Sequence, residues 1–235
     1  MSYLHQFQVK RLCSNSHSQF QFKELYLQDP LQMCQSITNI LNNSKKFNRI
    51  LNCLYYVHAM MASDTKMLKI PESGSTEEVA FESTPYKILN SYLATSMMET
   101  FLQAYITYLK ARSITNFTII HGIHHPLVDL CKEFINLANL NYSQLDIASC
   151  FNLLVLDIQY IYPIVGHHYI RLVQGFAYLN RDAMRQAFNT LSEIQNSINA
   201  MQQMLALGRQ LSYTSVDLVK IPNILSKLEG ILGSG

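Results

Sequence analysis

The feature that most constrains this chain is a long apolar stripe in its C-terminal third. Seven apolar residues recur between Met184 and Leu205 at steps of 4, 3, 3, 4, 3 and 4 residues. That spacing keeps them on one face of an α-helix for about six turns. We therefore predict a helix over residues 182–208, with Asp182 as its N-cap and Gly208 at its end.

The same periodicity recurs along the rest of the chain. Apolar residues at three- and four-residue steps predict further helices over residues 31–43, 45–62, 88–112, 127–137, 145–162, 168–179 and 216–231. We expect Pro163 and Gly166 to end the 145–162 helix, because proline lacks the N–H that a helix interior needs. The β-branched run at 117–121 has strand character, but one strand cannot form a sheet, so we interpret it as the lead into a helix that starts near Pro126. The expected fold is all-α, a bundle of about seven to nine helices that ends in a long helical pair.

The expected domain organisation follows from where this periodicity stops. Residues 1–30 show no clean period and are expected to form a loosely ordered N-terminal arm. Residues 63–85 combine two prolines, a glycine and a Ser/Thr/Glu cluster, which predicts a surface loop. We expect one all-α domain over residues 31–235, with residues 182–235 either inside it or added to it as a helical extension.

Charge and cysteine content exclude several classes of protein. Only 14% of the residues are charged, against about 25% in typical soluble domains, and the net charge is +2. So few cations cannot neutralise a phosphate backbone, which excludes a polybasic nucleic-acid module. The five cysteines are odd in number and form no CxxC pair, which indicates reduced thiols in the cytoplasm. No uncharged apolar run reaches the roughly 18 residues of a spanning helix, so we predict a soluble protein with no membrane span.

Histidine carries most of the functional signal. Five of the eight histidines fall within one part of the chain: His121, His124, His125, His167 and His168. Imidazole is the side chain most often used as an acid, a base or a metal ligand near neutral pH. HExxH and the ExxH pairs of di-iron proteins are absent, so the pattern predicts no metal site, while haem and a mononuclear metal stay open. The alternative is that these imidazoles cap helices and satisfy buried carbonyl groups.

Other residue types give weaker signals. Five tyrosines could line a flat aromatic pocket, although aromatic residues at helical spacing more often form core: Tyr105, Tyr108, Tyr160, Tyr162 and Tyr169. Cys131 and Cys150 lie on apolar helix faces, where thiols are usually inert. The sequence contains neither a GxSxG nucleophile motif nor a glycine-rich phosphate loop.

Two segments carry a resemblance to a known family. YLKARSITNFTIIHGIHHP at residues 108–126 and GHHYIRL at residues 166–172 resemble segments of questin-oxidase-like proteins, and the similarity extends over about residues 95–180. The resemblance implies an all-α oxidoreductase that uses NADPH to insert oxygen beside the carbonyl of an aromatic polyketide. It makes His121 and His168 the catalytic candidates. The substrate-binding candidates that we place beside them are His125, His167, Tyr105, Tyr108, Tyr160 and Arg171.

A second, fainter resemblance lies further along the chain. LNRDAMRQAFNTLSEIQNSINAMQQML, at residues 179–205, is similar to a helix of indoleamine-dioxygenase-like haem proteins. Generic helix periodicity explains this similarity equally well, so we rank it below the first.

Two functions follow from these observations. The first is a questin-oxidase-like oxidoreductase that acts on a flat aromatic or polyketide-like substrate, with NADPH as the cofactor that the resemblance implies. The second is a non-catalytic all-α interaction protein, such as an adaptor or a bacterial effector, that uses the amphipathic 182–208 helix. The stripe at 184–205 would then pair with a partner helix or with a second copy of the chain.

Overall fold

The fold is all-α, as the periodicity predicts. A computed structural model describes residues 28–67, 100–114, 125–140, 147–211 and 220–233, with isolated positions between and around them. These residues contain seven α-helices and no strand, so the helix count in the described part is at the low end of the prediction. The helices are α1 (Pro30–Asn43), α2 (Phe47–Met67), α3 (Thr100–Ile114), α4 (His125–Ala138), α5 (Ala148–Gly175), α6 (Arg181–Gln210) and α7 (Leu225–Gly233), with a 3₁₀ turn at Phe176–Tyr178 between α5 and α6.

Local sequence explains where α1 begins. The side chain of Asp29 accepts a hydrogen bond from the backbone N–H of Gln32 at 3.0 Å, and Pro30 occupies the start of the helix. The aspartate satisfies a donor that the helix leaves unpaired, and proline has no N–H to leave unpaired there. The helices predicted at 31–43 and 127–137 are both confirmed, as α1 and α4.

The largest difference from the sequence prediction is α5. The helix continues through Pro163 and Gly166, where we expected it to end. The helices predicted at 145–162 and 168–179 are therefore one helix, and the expected break is wrong. Proline in a helix interior costs about 3 kcal/mol. Side chains on both sides of the proline are buried, Tyr162 among them, and each such burial contributes about 1.5–3 kcal/mol, which offsets that cost.

Both C-terminal helices begin elsewhere than predicted. The N-cap of α6 is Asn180 rather than Asp182, and its side chain accepts a hydrogen bond from the N–H of Ala183 at 2.9 Å. Asparagine and aspartate are comparable N-caps, so the sequence alone does not separate them. The predicted start of α7 at 216 is also wrong, because residues 220–224 are not helical. Pro222 disfavours helical backbone in the residue before it.

The boundaries of α2 and α6 also differ from the prediction. α2 continues beyond the predicted 45–62 helix, so residues 63–67 are helical rather than part of a loop. The α6 helix likewise continues past Gly208, the residue expected to end it. The rest of the predicted loop at 63–85, and the run at 117–121, lie outside the described residues. Within the predicted 88–112 helix, every described residue is helical.

The chain forms two compact units, each of which is described by itself. The first comprises residues 1–118 and 142–153, and the second comprises residues 119–141 and 154–235. The single domain expected over 31–235 stays a prediction.

α2 is the central helix of the first unit. It packs against α1 and α3, and every residue from 50 to 58 is buried. A helix that is buried on all sides belongs to a core rather than to a surface. Within the expected N-terminal arm, Val9 and Cys13 are buried too, and the Nδ2 of Asn52 donates a hydrogen bond to the backbone oxygen of Cys13 at 3.0 Å. This part of the arm is therefore docked on α2.

α6 is the corresponding helix of the second unit. It packs against α4, α7 and the 3₁₀ turn. The Nε2 of Gln202 donates to the Oη of Tyr162 on α5 at 2.8 Å, and the Nε2 of Gln203 donates to the backbone oxygen of Ala138 in α4 at 3.2 Å. These bonds and the packing of its C-terminal half fix α6 inside the unit.

α5 is the most apolar long helix in the described part of the chain. Together with the 3₁₀ turn it is the one described helix that is long and apolar enough to cross a membrane, judged by length and composition alone. Inside the protein, 56% of its most apolar window is buried. That burial is typical of a core helix and is compatible with a soluble protein.

Candidate functional site

The histidines that carry the functional signal are only partly described. His121 and His124 lie outside the described residues, and so does the side chain of His125 at the start of α4. On α5, His167 is exposed and His168 is half-buried. The catalytic roles of His121 and His168 therefore stay predictions.

Three of the predicted substrate-binding residues share one face of α5. Tyr160, His167 and Arg171 are exposed, and their spacing of seven and four residues places them on one side of the helix. The helix rise separates them by about 10 Å and about 6 Å along the axis. They form a row along the helix instead of converging on one point, which suits contact with an extended surface.

The other two predicted substrate-binding tyrosines are buried in the first unit. Tyr105 and Tyr108 lie on α3 with ring centroids 6.4 Å apart and ring planes 4° apart, and Phe101 stacks on Tyr105 at 5.5 Å. His58 of α2, which the sequence analysis did not single out, lies 5.8 Å from both tyrosine rings. Its Nδ1 is 2.8 Å from the Oη of Tyr105. We call these four residues the His58 cluster.

The hydrogen bond in the His58 cluster satisfies two polar groups that are shielded from water. With one imidazole tautomer Tyr105 donates and the Nδ1 of His58 accepts, and with the other tautomer the direction reverses. A neutral buried hydrogen bond contributes about 1 kcal/mol, whereas leaving one partner unsatisfied costs about 1–3 kcal/mol. The bond therefore fixes α2 against α3. No sequence signal identifies it, because the two residues are 47 positions apart.

All five cysteines are buried, and none of them forms a disulfide. Burial raises the pKa of Cys34 to about 11 and the pKa of Cys131 to about 12. Burial, together with the neighbouring Cys13 thiol, also holds the pKa of Cys53 well above its usual range. A thiol with a raised pKa stays protonated at neutral pH and is a poor nucleophile. These residues act as packing side chains.

The apolar stripe of α6 is used mainly inside the second unit. From Leu191 to Leu205 its apolar side chains are buried, and α6 packs there against α4 and α7. Met184 and Phe188, in the first turns, are half-buried. Most of the stripe at 184–205 is therefore part of the core, and only its beginning is accessible to a partner.

A second stripe, which contains both apolar and polar residues, lies on α5 and is exposed. We call it the α5 outer face, which consists of Leu156, Tyr160, Pro163, His167, Ile170, Arg171 and Gln174. Leu156 is 56% exposed, Tyr160 51% and Ile170 46%. Among the described residues, only two other large hydrophobic side chains are comparably exposed, Tyr178 and Ile231. Exposed apolar surface is thus concentrated on one helix.

The predicted break at Pro163 hides the α5 outer face in the sequence, because it divides the helix into two parts. Residues 156, 160, 163, 167, 170 and 174 follow steps of four and three, which is a helical stripe. The stripe is visible only when the helix is continuous. The signal was therefore present in the sequence but was split between two predicted helices.

The segment at 220–224 packs on the side of α5 that borders the α5 outer face, because Gly166 lies three residues after Pro163 and four before Ile170. A Cβ atom at Gly166 would lie 2.5 Å from the Cδ1 of Ile221, so the missing side chain allows this segment to approach the helix. The N–H of Ile224 also donates a hydrogen bond to the Oη of Tyr169 at 3.4 Å. One side of α5 is therefore covered by its own chain while the α5 outer face is left exposed.

Among the described residues, no group of three or more His, Cys, Asp or Glu side chains is placed to hold a metal ion.

Comparisons with known proteins find no relative. No protein-family model matches the chain, and neither a curated protein nor a solved structure matches it. The questin-oxidase-like resemblance stays a prediction that depends on the two segments that carry it.

Proposed function

We propose that this protein acts by binding another polypeptide through the α5 outer face. The observation that carries the proposal is the exposure of Leu156, Tyr160 and Ile170 along one side of one helix. Single exposed hydrophobic residues are normal on a protein surface, whereas several that share one helix face are typical of an interaction site. Covering such a row contributes about 25 cal/mol for each Å² of apolar surface removed from water.

The shape and charge of the α5 outer face indicate that its partner is an amphipathic α-helix. From Leu156 to Gln174 the face is about 27 Å long and one helix wide, which matches a single helix–helix contact. Its side chains include no carboxylate, and Arg171 is its one permanently charged group. Helices that bind membrane surfaces typically present about four to eight Lys and Arg residues. The face therefore favours an apolar stripe on another helix over a lipid surface.

This proposal keeps the interaction hypothesis and moves its surface from α6 to α5. The stripe of α6 is buried from Leu191 to Leu205, so that part is not accessible without unfolding the second unit. The α5 outer face needs no such rearrangement. What supports α5 is therefore the accessibility of its outer face, since both helices carry a stripe of the same helical period.

The test is site-specific photo-cross-linking of the full chain in living cells. A benzophenone amino acid at Tyr160 is expected to give discrete protein adducts, because that ring is exposed on the face. The same probe at Asn196, an exposed position on α6, is the matched control. Adding Ile170→Glu should remove the Tyr160 adducts while leaving the amount of protein unchanged. Identical adducts from both positions, or none from Tyr160, would contradict the proposal.

The oxidoreductase is the second candidate. What supports it is that Tyr160, His167 and Arg171, expected to bind substrate, share one exposed face. It predicts NADPH-dependent turnover of an aromatic polyketide ketone that is lost in His121→Ala and His168→Ala. An ultraviolet–visible spectrum with elemental analysis of the purified protein tests for haem, flavin and metal. Full turnover in both variants would remove these histidines from the mechanism.

For either function we propose a cytoplasmic location, which is supported by the five cysteines that form no disulfide.

A further inference from the structure

We propose that the helix bound by the α5 outer face is α5 of a second copy, packed antiparallel around a two-fold axis beside Pro163. This inference rests on the proposed function and names its partner. A two-fold interface must be complementary to itself. Leu156 and Ile170 each lie seven residues from Pro163, so an antiparallel pair brings Leu156 of one copy level with Ile170 of the other. The two most exposed aliphatic residues of the face then cover each other.

The polar residues of the face fit the same arrangement. Tyr160 and His167 lie three and four residues from Pro163, so each tyrosine comes level with the histidine of the other copy. Both rings can pack and still keep a polar edge near solvent. Pro163, at the centre, has no backbone N–H that the contact would remove from water.

The position of Arg171 decides between the antiparallel and parallel orientations. In the antiparallel pair, the two Arg171 residues lie at opposite ends, 16 helix positions apart, which is about 24 Å along the axis. That is more than twice the Debye length of about 8–10 Å at physiological salt, so their repulsion is screened. A parallel pair would place the two guanidinium groups side by side. The charge of the face therefore favours the antiparallel pair.

The size of the face indicates a weak and reversible contact. A contact about 27 Å long and about 11 Å wide covers on the order of 300 Å² of projected surface on each copy. Stable complexes bury about 800 Å² of accessible surface on each partner, so this contact is at the small end. We therefore expect a reversible dimer with a dissociation constant on the order of 10–100 µM.

Sedimentation equilibrium of the full chain from about 1 to about 500 µM measures this association. Leu156→Glu should weaken the dimer at least tenfold, because each carboxylate would be buried against an apolar Ile170. Adding Ile170→Lys should recover part of the affinity, since the antiparallel pair sets each glutamate opposite a lysine. Adding Ile170→Glu instead should abolish the dimer. The two double variants change the same exposed residues and differ only in the sign of one charge, so their folding, checked by circular dichroism, is matched.

Engineered thiols test the register. Under mild oxidation with diamide, Pro163→Cys should form a disulfide with a second copy of itself, because the axis passes beside that position. Leu156→Cys should not pair with itself but should pair with Ile170→Cys when the two proteins are mixed. The native cysteines are buried and provide a low background. Self-pairing of Leu156→Cys would indicate the parallel orientation and would overturn the proposal.

Failure of this inference can be told apart from failure of the proposed function. If the chain is a monomer at every concentration, the proposal that the partner is a second copy is wrong. If Tyr160 then still forms face-dependent adducts with another protein, only the identity of the partner is wrong. If Tyr160 forms no such adducts, both are wrong. Binding to phosphatidylcholine–phosphatidylserine vesicles that is lost in the Leu156→Glu, Ile170→Glu variant would assign the face to lipid and overturn both.

Discussion

α2 and α5 are both rich in apolar residues, but the protein uses them differently. Every residue of α2 from 50 to 58 is buried, and its histidine, His58, is bonded to Tyr105 inside the core. α5 is covered on one side only, and its other side exposes Leu156 together with the polar His167. The apolar content of a helix therefore does not tell how much of it its own fold covers. The uncovered part of α5 is where we expect function.

The test of this contrast with the largest expected effect makes the same substitution, leucine to alanine, in both helices. Leu54→Ala in α2 should lower the free energy of unfolding by about 2–5 kcal/mol, because it leaves a cavity around a fully buried side chain. Leu156→Ala in α5 should change it by less than about 0.5 kcal/mol in dilute solution. Urea denaturation followed by circular dichroism measures both values. Comparable losses would mean that the α5 outer face is covered in the monomer.

The next test addresses the hydrogen bond in the His58 cluster. Tyr105→Phe removes the hydroxyl that contacts the Nδ1 of His58, and should destabilise the protein by about 1–3 kcal/mol. Tyr178→Phe makes the same chemical change at a residue that is 90% exposed, and should have no measurable effect. Thermal unfolding compares the two variants. An equal effect of both would show that the bond does not hold α2 against α3.

The burial of the Cys131 thiol can be tested through the pH dependence of the protein's stability. The pKa of Cys131 is raised from 9.0 to about 12 in the folded protein, so the folded state keeps a proton that the unfolded chain releases. This contribution to stability is complete below pH 9 and is lost as the pH rises towards 12, by up to about 1.4 kcal/mol per pH unit. Cys131→Ala should therefore lose stability less steeply than the wild type between pH 9 and pH 10.5. Parallel stability curves would show that this thiol is not buried.

The smallest expected effects distinguish two glycines of α5. Gly175→Ala meets no atom within 4 Å and should stabilise the protein by up to about 0.5–1 kcal/mol, the gain in helix propensity. Gly166→Ala should gain less, because the new methyl group must displace the Cδ1 of Ile221. Ile221→Val removes that atom and should restore the gain when combined with Gly166→Ala. Melting temperatures of the four variants provide the measurement. Equal stabilisation by alanine at both glycines in the otherwise native chain would contradict the close approach of Ile221 to Gly166.

Periodicity was sufficient to predict the helices that local sequence determines. The α1 helix has a capping aspartate and a proline at its start, and α4 has a regular apolar face, so the sequence predicts both within a few residues of their observed bounds. The continuity of α5 was not predictable in this way. It depends on burial on both sides of Pro163, which is a tertiary effect that overrides a local preference.

The candidate site was less predictable than the fold for the same physical reason. The contact between His58 and Tyr105 joins two helices that are far apart in sequence, and no local pattern pairs them. The α5 outer face is periodic in sequence, but its exposure depends on which side of α5 the segment at 220–224 covers. Spacing alone can identify a stripe, and it cannot tell a covered stripe from an exposed one.

The central claim is that the α5 outer face is exposed in the monomer and covered in the dimer. Its most direct test is hydroxyl-radical footprinting of the purified chain at about 1 µM and at about 200 µM. These two concentrations lie on either side of the dissociation constant that we expect for the dimer. We expect Tyr160 and Leu156 to react readily in the dilute sample and to be protected in the concentrated one. Ile231, which is 47% exposed on α7, should react equally in both and serves as the internal control. A Tyr160 that is already unreactive when dilute would show that the α5 outer face is covered in the monomer and would contradict the claim.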